Sequence, residues 1–157
     1  MRCRLALMED SLYAANWFAA QPSGDGIWLL PDVYRLLTKV RCHIRREEYH
    51  TALLTLGHLL DRFSLVHRPL DTMEVLILTA ICRFRMGGGD WATYLGRAQS
   101  LGKRYGYVKV FAQEGAALMP LLEAYSPEDT GSAYWSSVIR ETLAGMSAAP
   151  SWAKTFT

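Results

Sequence analysis

Three features of the sequence predict an all-α fold, an α-solenoid built from stacked antiparallel helix pairs. Apolar residues recur at three- and four-residue spacing through nearly the whole chain, no segment alternates as a half-buried strand would, and the breaks between periodic segments are short. Short connections make successive helices antiparallel neighbours. Each pair is too thin to bury its own apolar stripe, so pairs must stack on pairs. At 157 residues, 50% apolar and 20% charged, the chain is long enough to bury a real core and has an ordinary globular composition.

Met1 to Met8 is short and apolar, and reads as the end of a helix cut from its partner. Asp10 or Ser11 caps a helix running to about Ala20, whose inner face is Leu12, Ala15, Trp17 or Phe18, and Ala19. Pro22-Ser23-Gly24-Asp25-Gly26 is a loop. Asp32, after Pro31, heads the next helix, with Val33, Leu36, Leu37, Val40 and Ile44 on one buried stripe. Lys39, Arg41, Arg45 and Arg46 point elsewhere, mostly in the C-terminal half, where cations suit the helix dipole. A tight turn at Glu47-Glu48 leads to a helix with Ala52, Leu56, Leu59, Leu60 and Phe63 inward.

Pro69 breaks the chain, and Asp71 or Thr72 starts another helix with Glu74 supporting its first turn. Met73, Leu76, Ile77, Ala80, Ile81 and Phe84 form its apolar face. Gly87-Gly88-Gly89 ends it, and Asp90 opens a helix carrying Trp91, Leu95, Ala98 and Leu101, whose end Gly102 and Gly106 loosen. Val108 to Ala124 is helical in at least one piece, with Pro120 as a kink or first-turn residue. Ser126-Pro127-Glu128-Asp129 is a turn, and Ser132 to Met146 is the last helix. The helical domain spans 1–147, and 148–157 is a frayed tail or linker.

Composition excludes several function classes. A formal net charge of +2 is too small to imply direct DNA contact, since a DNA-binding domain shows a clearly basic face. Cys3, Cys42 and Cys82 are odd in number and far apart, which fits reduced thiols in a cytoplasmic protein. The longest apolar run, Val75 to Cys82, is far short of the roughly 18 residues that span a bilayer, so no membrane is expected. Met1-Arg2-Cys3-Arg4 mimics a signal-peptide n-region, but Glu9 and Asp10 interrupt the apolar segment almost at once.

No catalytic motif is present, and the chain is expected not to be an enzyme and to need no cofactor. His43 with Glu47 or Lys39, and His50 with His58, keep helical spacings, but a metal site needs three or four converging ligands. Cys42 beside His43 is not a nucleophile and base, because adjacent helix residues point about 100° apart. Glu47-Glu48 reads as a solvated turn, not as paired acid and base. Gly87-Gly88-Gly89-Asp90 lacks the Lys and hydroxyl of a phosphate-binding loop.

Binding features are better represented. Lys39, Arg41, Arg45 and Arg46 form the densest basic cluster, suited to an anionic ligand or acidic partner, or to a solvated face paired with Glu47, Glu48 or Asp61. In a solenoid the first helix of each pair lines the concave face. Tyr34, Thr38, Arg41 and Arg45 are therefore the groove candidates, with Glu74 from the next repeat. Trp28, Tyr94, Tyr105 and Tyr107 read as packing between helices, as do Tyr107 and Phe111 together, and Gly115 serves a break between helices.

Glu48-Tyr49-His50-Thr51-Ala52-Leu53 and Asp90-Trp91-Ala92-Thr93-Tyr94-Leu95 open two helices at an offset of about 42 residues, longer than the ~34 of a tetratricopeptide (TPR) repeat and below the ~47 of other helical-pair repeats. Tyr49 and Trp91 match the aromatic wedge of a TPR hairpin and Ala52 its small crossing residue, whereas Tyr94 departs from it. Gly106-Tyr107-Val108-Lys109-Val110-Phe111, Glu114-Gly115 and Met119-Pro120-Leu121-Leu122 follow in that order. This succession resembles the last TPR-like repeats of large LuxR-family transcriptional regulators of the MalT-like class, with Gln113 in place of an acid. Arg4-Leu5-Ala6-Leu7 with Ala14, Ala15 and Trp17 is similar to the preceding hairpin, so the resemblance covers about residues 4 to 145.

The resemblance implies a signalling segment without chemistry of its own. A small-molecule inducer or protein partner engages the superhelix and biases self-association, provided it binds one arrangement better than another. It also implies an ATPase region and a helix-turn-helix elsewhere in the protein; neither is visible in this sequence, which looks like a fragment of such a regulator or a stand-alone relative. The alternatives are a TPR-like protein-binding scaffold that captures peptides through Lys39, Arg41 and Arg45, and an all-α enzyme, which would need a converging polar cluster.

Overall fold

The computed structural model describes residues 30–125 and 133–147, and every regular element among them is helical. The segments expected over 1–29, the turn at 126–129 and the tail at 148–157 lie outside the described residues. The chain falls into two compact units, residues 1–66 and 67–157.

The described part of the first unit is a hairpin of α1 (Leu30–Arg45) and α2 (Tyr49–Phe63), packed along each other. Val33, Leu37 and Val40 of α1 and Ala52, Leu56, Leu59 and Phe63 of α2 are buried, as their spacing predicts, while Leu36, Ile44 and Leu60 sit at the rim. The turn between the helices is a Schellman motif. Glu47 takes the left-handed conformation at φ 60°, the Glu48 N–H donates to the His43 carbonyl at 2.8 Å, and the Glu47 N–H donates to that of Ile44 at 3.0 Å.

The second unit opens with α3 (Pro69–Arg85) and α4 (Trp91–Tyr105), again a closely packed hairpin. Pro69 does not stand before α3 but is its first residue, where its missing N–H costs nothing and its fixed φ suits the helix. The start expected at Asp71 or Thr72 is thus corrected. Glu74 lies beyond the first turn: Arg68 is the N-cap residue, and Asp71 is the acid of the first turn, 2.7 Å from the Arg68 Nε. Every residue from Val75 to Cys82 is buried, so the middle of α3 is enclosed on all sides.

Gly87 (φ 77°) closes α3 with the same Schellman bonding that Glu47 gives α1, and Gly106 (φ 73°) closes α4. Beyond Gly106 the chain is helical in three short pieces: α5 (Lys109–Ala112), a 3-10 turn (Gly115–Ala117) and α6 (Met119–Ala124). Gly115 (φ 50°) makes one break, and Pro120 lies in the first turn of α6. The last helix, α7 (Ala133–Ser147), packs on α5 and the 3-10 turn, burying Trp135 and Val138. A run of edge-on aromatic contacts joins these elements: Phe84 to Trp91 at 5.3 Å between centroids, Trp91 to Tyr125, Tyr125 to Trp135, and Trp135 to Phe111 at 5.6 Å.

Candidate partner-binding face

Helical spacing puts Tyr34, Thr38, Arg41 and Arg45 on one side of α1, but the structure gives them unequal access. Tyr34 is 36% exposed and Arg45 is exposed near the helix end. Arg41 is half-buried, and its Nη1 lies 3.5 Å from the Leu37 carbonyl, so the guanidinium is turned back along the helix. Thr38 is buried, and its hydroxyl donates to the Tyr34 carbonyl at 2.8 Å. Two core threonines do the same: Thr79 donates to Val75 and Thr142 to Val138, both at 2.7 Å. Thr38 therefore spends its hydroxyl inside its own helix and offers no surface to a ligand. Glu74 belongs to the second unit and is half-buried on α3.

After Asp32 in its first turn, α1 carries basic residues and no acid. Arg35 is exposed, Lys39 half-buried, and Arg45 and Arg46 exposed, with no acid between Val33 and Arg46. The first acids downstream, Glu47 and Glu48, lie in the turn, and the Glu48 carboxylate closes a latch there. Its Oε2 is 2.8 Å from His43 Nδ1, and its Oε1 is 2.8 Å from Arg46 Nε. Sequence reasoning set His43 against Glu47, four residues on. The left-handed turn at Glu47 brings Glu48 back to the imidazole instead, and no glycine marks that turn in the sequence.

Among the described residues, the remaining chemistry-bearing side chains do not converge. Cys42 and Cys82 are both fully buried and make no disulfide. Burial pushes the Cys82 thiol up to about 12, so at neutral pH it is no nucleophile. In the glycine loop, the N–H groups of Gly87 and Gly88 donate to the Phe84 and Arg83 carbonyls at 3.1 and 3.0 Å, so they are turned onto the helix end and not toward a bound phosphate. His50 and His58 are exposed on α2, and His67 meets Tyr105 edge-on. Among the described residues no three His, Cys, Asp or Glu side chains gather as a metal site, and no helix is long and apolar enough to cross a membrane.

No family model, no curated protein and no solved structure matches the chain.

Proposed function

We propose that the chain is the ligand- or partner-sensing and self-associating segment of a LuxR-type transcriptional regulator, without chemistry of its own. The supporting observation is the part that four residues of the Gly106–Gly115 string take in the fold. Gly106 supplies the left-handed cap of α4, Val110 and Phe111 anchor α5 in the core, and Gly115 supplies the left-handed break before the 3-10 turn. A string whose two glycines and two apolar anchors each have a geometric task is a firmer basis for resemblance than helical periodicity, which any α-solenoid shares. The helix hairpins suit an inducer or a protein partner of cytoplasmic origin.

The reading is tested by the nucleotide sequence on both sides of this segment in its native gene. A continuous frame with an upstream phosphate-binding loop and a downstream helix-turn-helix is the expected result. A frame lacking both overturns the regulator and leaves the protein-binding scaffold.

A further inference from the structure

We infer that the tyrosine pair Tyr105 and Tyr107 at the end of α4, with Arg97, Arg104 and Lys109 around it, binds single-stranded nucleic acid, the rings stacking on bases and the cations meeting phosphates. This goes beyond the sensing role proposed above and does not depend on it. All of these residues belong to the second unit.

Three observations carry the choice of ligand. First, the near balance of the whole chain, at +2, hides a stretch without acids: no Asp or Glu stands between Asp90 and Glu114. Arg97, Arg104 and Lys109 in that stretch are exposed, and none of them pairs with a carboxylate among the described residues, whereas Lys103 has a contact of its own within the chain. Arg97 and Arg104 lie about two turns apart on α4, which puts them on one side of it, ~10 Å apart along the axis. Second, the left-handed Gly106 (φ 73°) folds the chain so that the Tyr105 and Tyr107 rings stack, 5.8 Å between centroids and 18° from parallel. Both are half-buried, so the pair is held in place and still reaches the surface. His67 backs Tyr105 edge-on at 6.1 Å, and the Arg104 guanidinium lies 5.7 Å from the Tyr105 centroid, beside the ring but not neutralised by it. The sequence alone assigns these rings to packing between helices; the structure stacks them on each other instead. Third, paired rings beside cations match the two parts of a single strand. Bases stack on aromatic side chains whatever their sequence, and the phosphates follow the cations. An acidic peptide would use the charges but repeats no flat group for the rings, and a duplex keeps its base faces inside its own stack.

The test uses the purified chain and a fluorescein-labelled oligothymidylate of roughly 12 nucleotides, within the span a single-strand module covers, read by fluorescence anisotropy. Binding is expected to weaken as salt rises. Replacing Arg104→Gln together with Lys109→Gln should flatten the slope of log affinity against log salt by about 0.7 for each cation removed. Tyr107→Ala should weaken binding about tenfold, and Tyr107→Phe, which keeps the ring, should bind as the parent does. Arg85→Gln, exposed at the end of α3 and so at the far end of the α3–α4 hairpin, is expected to leave the slope unchanged and controls for net charge. A circular-dichroism melt checks that each variant folds; if Tyr107→Ala unfolds, Tyr107→Leu removes the stacking ring with less loss of packing and gives the same comparison. Absence of binding, equal binding of a duplex of the same length or of a labelled polyglutamate peptide, or an unchanged salt slope in the Arg104→Gln, Lys109→Gln variant overturns the inference. None of these outcomes bears on the regulator reading, which stands or falls with the flanking frames.

Discussion

The Tyr134 hydroxyl occupies the space that any side chain at Gly102 would need. It donates to the Tyr107 carbonyl at 2.7 Å, and the Tyr107 N–H donates in turn to the Gly102 carbonyl at 2.9 Å. The first turn of α7 is thereby pinned to the end of α4 through the backbone of the Gly106 turn. Gly102 does not loosen α4, as its place near a helix end suggests; it is a close-approach site.

Gly102→Ala is accordingly expected to destabilise the protein, although alanine is intrinsically the better helix former by about 1 kcal/mol. The added methyl overlaps the Tyr134 hydroxyl and comes within 2.9 Å of the Met73 terminal carbon, so the tyrosine has to leave its position. Overpacking of this kind costs about 1–3 kcal/mol, and the lost hydrogen bond about 1 kcal/mol more. Denaturant unfolding of Gly102→Ala, Tyr134→Phe and the double variant measures this. The cost of Tyr134→Phe should shrink in the Gly102→Ala background, because the hydrogen bond is already broken there.

Glu47→Gly is expected to stabilise the first unit. Schellman turns close α1 and α3 with the same bonding, but α3 has Gly87 at the left-handed position and α1 has Glu47 at φ 60°. A residue with a Cβ pays about 1 kcal/mol there, and glycine gives part of that back in unfolded-state entropy. A rise of about 0.5 kcal/mol in unfolding free energy is the expected outcome. A fall would mean that Glu47 makes a compensating contact of its own.

Glu48→Gln tests the latch across the same turn. Removing the charge weakens the contacts to His43 and Arg46, both at 2.8 Å. The pair with Arg46 is a third exposed on both sides and contributes little. The contact with the buried His43 ring dominates, so the expected loss is about 1 kcal/mol. Added salt should leave most of that difference in place, which separates a buried contact from a surface ion pair.

Much of the fold is legible in the sequence. The main buried stripes of α1 and α2 follow from three- and four-residue spacing, and Gly106 and Gly115 sit where the chain breaks, but α3 is buried all round where one face was expected, and on α4 Gln99 and Gly102 are buried while Trp91 and Leu101 are only half-buried. Depth was not legible. Spacing put Thr38 on the same side as Tyr34 and Arg41, but it states an angle around the helix axis and not how much protein lies over that angle, and Thr38 is 1% exposed. Nor was turn chemistry legible where the expected residue was missing. Glu47 carries no glycine signal, so the return of Glu48 to His43 went unseen. Pro69 suggests a break in the sequence because proline disrupts a helix interior, but the same ring suits the first helical position, where Pro69 sits.

Stability should fall as pH rises above about 9. Burial pushes the Cys82 thiol from 9.0 up to about 12, and it pushes the Tyr134 phenol upward as well. In the unfolded chain the Cys82 thiol gives up its proton near 9.0, while the folded chain holds it until about 12. Between those values the unfolded state binds fewer protons, so the unfolding free energy declines with pH. Below the lower value both states are protonated and the stability is fully present. Chemical denaturation across the alkaline range should show this decline in the parent protein and a shallower one in Cys82→Ala, even though that variant begins less stable for want of a buried side chain. Parallel slopes in the two proteins would mean that the thiol ionises as readily in the folded state as in the unfolded one. The thiol would then be reached by water, and the enclosed middle of α3 would open far more often than its burial implies.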